Sequence, residues 1–64
     1  MRPNVERINY EMEKQGLSVA QLAELARVSR QWIYDIKNGQ ESATLATLEA
    51  LATALKVQPK DLII

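Results

Sequence analysis

Cysteine and histidine are both missing from this chain. Without cysteine there is no disulfide scaffold, without either residue there is no zinc knuckle, and without histidine the commonest catalytic base is gone. Two glycines and two prolines leave no material for a glycine-rich phosphate loop or a low-complexity linker. No apolar run approaches the roughly 18 residues that a membrane span needs. The opening MRPNVERINYEMEK is too charged for a signal peptide. A surplus of one charge is missing too, since eight basic and eight acidic residues balance, with a sequence pI near 6.2. That balance counts against indiscriminate nucleic-acid binding, which normally rests on a basic excess. The missing cysteines fit the reducing cytoplasm.

What is present reads as packed helices in one domain spanning residues 1–64. A chain this short buries only about 60% of its unfolded surface, so its core must be efficient. Asn4 is placed to cap a first helix, on which Val5, Ile8 and Met12 share a face, and Gly16 supplies its left-handed end. Ser18 caps a second helix, with Leu22, Ala23 and either Leu25 or Ala26 turned inward. Ser29 caps a third, which Asn38-Gly39 closes. Thr44 caps a fourth, with Leu45, Leu48, Leu51, Ala52 and Leu55 as its apolar stripe. Gln58 and Pro59 open a short last turn through Leu62. No strand pattern, domain boundary or internal repeat is visible. The expectation is all-α, with five short helices.

The third of these carries an unusual set of side chains, VSRQWIYDIKNG over residues 28–39. At 100° per residue, Arg30, Tyr34, Asn38, Gln31 and Asp35 spread over about 140°. Ile33 and Ile36 lie opposite, and Trp32 stands at the border. A solvated face is usually filled with Glu, Lys and Ala; this one holds planar and forked hydrogen-bonding groups. The local charge also departs from the overall balance, with Arg27, Arg30 and Lys37 against Asp35 alone. About three residues separate the second helix from the third. Two helices joined so tightly form a helix-turn-helix over about residues 18–38, whose second helix can present its polar face to a DNA major groove.

LSVAQLAELARVSRQWIYDIKNG followed by TLATLEALATALKV resembles the DNA-binding domain of phage repressors, Cro-type proteins and xenobiotic-response regulators. The resemblance covers about residues 5–62 and rests on several pieces in register: Gly-Leu-Ser, Leu-Ala, Val-Ser-Arg-Gln, Ile-x-x-Ile, Asn-Gly and a Leu-rich helix ending in Ala-Leu-x-Val. It implies a compact five-helix bundle of the lambda-repressor type, bacterial or phage-encoded, associated with the nucleoid in the cytoplasm. It also implies base contacts from Arg30 and Gln31 at the start of the recognition helix, with Tyr34 and Asp35 a turn further on. Arg pairs with guanine O6 and N7, and Gln with adenine N6 and N7. Asp35 is open to two roles, accepting from cytosine N4 or holding Arg30 or Gln31 in place. Ser18 and Val19 match the phosphate-contacting helix start, where free amides face the backbone, and Asn38, Gly39 and Gln40 match the loop against the opposite phosphate. Ser29, Trp32 and Lys37 join the candidate backbone contacts, although Trp32 reads first as a packing aromatic and Lys37 equally as a solvated charge. Three positions depart from the family pattern: Val19 stands where Gln is common, Arg27 where the turn usually has Gly, and the loop QESA lacks basic residues.

The resemblance implies a transcriptional regulator, a repressor by occupancy, that binds an operator in double-stranded DNA as a homodimer. The apolar end Leu62, Ile63 and Ile64 is the candidate dimer surface, the alternative being that Leu62 caps the core while Ile63 and Ile64 are loose. The alternative is an antitoxin or adaptor whose main partner is another protein such as a toxin; a third reading makes the chain the N-terminal part of a longer regulator. An enzyme is not expected. No Ser stands beside a plausible base, and the carboxylates read as isolated, exposed helical positions without an acid–base pair. No cofactor, metal or membrane partner is called for.

Overall fold

Every α-helix begins at a short polar side chain that holds a free amide. The computed structural model describes residues 2–39 and 43–64. Its elements are α1 (Val5–Gln15), α2 (Val19–Ala26), α3 (Arg30–Lys37), α4 (Leu45–Leu55) and a 3₁₀ turn, Pro59–Leu62. Asn4 Oδ1 accepts from the Arg7 amide at 3.2 Å, and Ser18 Oγ from the Gln21 amide at 3.2 Å. Ser29 Oγ accepts from the Trp32 amide at 3.1 Å, and Thr44 Oγ1 from the Thr47 amide at 3.3 Å. These are the four caps the sequence offers. The fifth helix is corrected to a single 3₁₀ turn, so the described residues form four α-helices. Four residues are too few to close an α-helical ladder; Pro59 fixes the entry and Asp61 Oδ2 accepts from the Gln58 amide at 3.2 Å.

Three α-helices end in the left-handed conformation, but only one on glycine. Gly16 has φ 67°, whereas Arg27 and Lys56 take φ 58° and 60°. In each case the left-handed residue lets the chain turn back while its own amide still finds a helix carbonyl. α3 instead ends on Asn38 in the right-handed region, and Gly39 makes the positive-φ step at 73°.

The core is one cluster to which every element contributes. Ile8 and Met12 come from α1, Leu22, Ala23 and Ala26 from α2, and Ile33 and Ile36 from α3. Leu48, Leu51, Ala52 and Leu55 of α4 pack beneath them. One open choice is resolved, and one apolar position leaves its expected stripe. Ala26 takes the inward place on α2 while Leu25 is 58% exposed, and Leu45 at the start of α4 is 44% exposed. One carboxylate departs from the expected solvated pattern. Glu11 is buried, accepting from Arg7 Nε at 2.9 Å and from Gln15 Nε2 at 3.4 Å, and Gln15 also donates to the Leu55 carbonyl. This chain of bonds ties α1 to the end of α4.

The two chain ends lie together. Asn4 donates its amide to the Leu62 carbonyl at 2.8 Å, Ile64 donates to Arg2 at 3.0 Å, and Pro3 faces Ile63 in an antiparallel bridge. Leu62 is fully buried. Its place among the candidate dimer residues is therefore corrected, since a side chain that closes the core cannot also offer surface. Ile63 packs partly against the core and Ile64 is exposed.

Candidate nucleic-acid interface

Three residues, Arg27 to Ser29, separate α2 from α3. The Arg27 amide donates to the Glu24 carbonyl at 3.3 Å and the Val28 amide to Ala23 at 3.0 Å, which fastens the turn to the end of α2. Val28 packs against the core and Ala26 and Ile33 are buried on either side of it. The rotation of α3 is thus set by its apolar residues. Ile33 and Ile36 point inward, which leaves Arg30, Gln31, Tyr34 and Asn38 exposed, with Asp35 and Lys37 half-buried at the margin. Arg30, Gln31, Tyr34 and Asp35 therefore share one outward-facing sector. Gln31 Nε2 donates to Asp35 Oδ1 at 2.9 Å. Arg30, Arg27 and Lys37 form no ion pair with any described residue.

The start of α2 is organised by a reciprocal cap. Gln21 Oε1 accepts from the Ser18 amide at 2.9 Å, while Ser18 Oγ accepts from the Gln21 amide. The amides of Val19 and Ala20 occupy the first two helical positions, which have no partner within a helix. A helix start in this state favours an anion such as phosphate. The Val19 side chain is half-buried and packs against the core. Any phosphate contact at Val19 must therefore come from its amide. Gln21 is legible in the sequence as the third residue of a capping box.

Fifty-eight residues of this arrangement, 7–64, match a family model described as the Cro/C1-type HTH DNA-binding domain. The chain belongs to this family. Its fold is similar to the restriction-modification controller protein C.AhdI from Aeromonas hydrophila, with a TM-score of 0.84 and 30% identity over 89% of this chain and 86% of that one. An HTH_3 family transcriptional regulator from Vibrio cholerae matches with a TM-score of 0.82 and 28% identity over 89% of this chain. The match spans only 32% of that regulator. No curated protein matches the chain.

Trp32 is half-buried and packs against the core. Ser29 is exposed, but its hydroxyl is engaged in capping α3. Asn38 and Gly39 are exposed beyond the end of α3. Gln40, and with it most of the loop QESA, lies outside the described residues. Arg27 is exposed and left-handed, the conformation that the family's usual glycine implies. Among the described residues no three His, Cys, Asp or Glu side chains are placed to hold a metal ion, and no helix is long and apolar enough to cross a membrane.

Proposed function

We propose that this protein is a sequence-specific transcriptional regulator, acting as a repressor by occupying an operator as a symmetric dimer. The observation that carries the reading is the outward sector of α3, where Arg30, Gln31 and Tyr34 stand exposed beside the capped start of α2. In the family's mode of docking, α3 enters the major groove and α2 lies across it, with the Val19 and Ala20 amides against a phosphate. Arg30 reads guanine and Gln31 reads adenine, while Tyr34 meets a base or the sugar-phosphate a turn further on. The two structural relatives, a restriction-modification controller and a transcriptional regulator, support a regulatory role.

No bond is made or broken in this mechanism. A bound dimer excludes polymerase by position alone. Ile64, 71% exposed and held at the chain end by its backbone bond to Arg2, is the proposed contact between protomers, together with Ile63. Selection of bound sequences from random duplex DNA tests the reading. A recovered site with two inverted half-sites about 34 Å apart supports it. Recovery of no preferred sequence overturns it and favours a protein partner for the same surface.

A further inference from the structure

The hydrogen bond on the polar face of α3 fixes more than a position. A carboxylate has only acceptors, so Asp35 faces the nitrogen end of the Gln31 amide and not its oxygen end. One of the two Gln31 amide hydrogens is thereby engaged. Gln31 still has one N–H and the Oε1 acceptor to offer. Asp35 is half-buried and Gln31 is exposed, so the deeper group holds the shallower one. No other described side chain competes for Gln31: Val19 is aliphatic, and Gln21 is tied into the Ser18 cap.

The major-groove edges of the purines turn this arrangement into a choice. Adenine shows one acceptor, N7, beside one donor, the N6 amino group; guanine shows two acceptors, N7 and O6. A glutamine free to swing can turn its whole NH₂ group toward guanine. A glutamine held by Asp35 has a single N–H left and matches only adenine's mixed pair. We infer that Asp35 is a positioning residue that makes Gln31 a reader of adenine against guanine, and that its negative charge also weakens attachment to DNA of the wrong sequence. The inference rests on the DNA-binding reading above.

The test starts from the duplex selected by the unaltered chain and the base pair at which Gln31→Ala removes the preference. Affinities for adenine and guanine at that pair, and for random duplex, are then measured for Asp35→Asn, Asp35→Glu, Gln31→Ala and the Asp35→Asn/Gln31→Ala double variant. Asparagine keeps the shape but can face either end of the Gln31 amide, so Asp35→Asn lowers the adenine-over-guanine ratio by about threefold or more, a share of the roughly tenfold that a two-bond contact supplies. It also raises affinity for random duplex, because a negative charge is removed. Asp35→Glu, which keeps an acceptor-only group, retains the ratio. In the Gln31→Ala background, Asp35→Asn changes random-duplex affinity and leaves the ratio alone. The ratio is taken on one protein sample, so a loss of folded fraction cancels from it. An unchanged ratio in Asp35→Asn, or an equal fall with and without Gln31, overturns the inference alone. No preferred duplex for the unaltered chain overturns the DNA-binding reading and the inference with it.

Discussion

Arg30 and Gln31 are exposed for a reason that lies on the other side of their helix, where Ile33 and Ile36 are 1% exposed and leave the polar sector no choice of direction. Substituting either by Ala is expected to weaken binding to the preferred duplex by about 1–3 kcal/mol and to relax preference at a single base pair. Binding titrations on preferred and random duplex check this; equal losses on both would make the two residues phosphate contacts. Arg27 raises a different issue. A left-handed non-glycine residue is disfavoured by roughly 1–2 kcal/mol, and Arg27 has φ 58° with no ion pair among the described residues to offset it. Arg27→Gly should be neutral or stabilising by about 1 kcal/mol, the gain being partly offset by the freer unfolded chain. The check is the urea midpoint at constant m-value. A clear loss would show that the Arg27 side chain makes a stabilising contact.

At the scale of the element, the start of α2 has two linked tasks. Ser18 and Gln21 satisfy each other's backbone amides, and in doing so they fix the first turn that carries the Val19 and Ala20 amides. Ser18→Ala removes one acceptor and is expected to lower stability by about 1 kcal/mol. Because α2 has only eight residues, fraying at its start also disperses the amides that would meet a phosphate. Affinity for preferred and random duplex should therefore fall together, without a change in base preference. A shift in base preference for Ser18→Ala, seen in site selection, would assign Ser18 to base reading instead.

For the whole molecule, zero net charge limits how many phosphates each protomer can neutralise. The slope of log affinity against log salt is expected to be no steeper than about −6 per dimer. A steeper slope in salt titration would mean that basic residues outside the turn and α3 also reach the backbone. In the proposed dimer the contact between protomers lies at the chain end. Ile63 is partly packed and Ile64 exposed, while Leu62 remains in the core, so replacing both isoleucines with Ser leaves the buried cluster intact. The double variant should lose dimer mass and cooperative operator binding while keeping the base preference set by Arg30. Sedimentation with and without DNA checks this, and an unaltered dimer would place the interface elsewhere.

Local chemistry was enough for the helix starts. Asn4, Ser18, Ser29 and Thr44 each stand before an apolar run, and the bond that makes a cap closes within four residues of chain. The same locality made the outward sector of α3 legible, because Ile33, Ile36 and the polar residues share one helix. Gln31 and Asp35 lie one turn apart, so their pairing was visible as an alternative, although only side-chain placement selected Gln31 over Arg30 as the partner. Tertiary structure decided what depends on distant neighbours. Leu25 and Ala26 are adjacent and both apolar, and only packing against the rest of the core determined which turned inward. Glu11 reads as a solvated charge until Arg7 and Gln15 enclose it and Gln15 reaches the Leu55 carbonyl, 40 residues away. Leu62 looked like part of an apolar tail because its partners, the core and the strand-like segment around Pro3, lie at the other end of the chain. Caps, turns and one-turn pairs are short-range and are written in order along the sequence, whereas burial is a sum over neighbours that only the folded chain brings together.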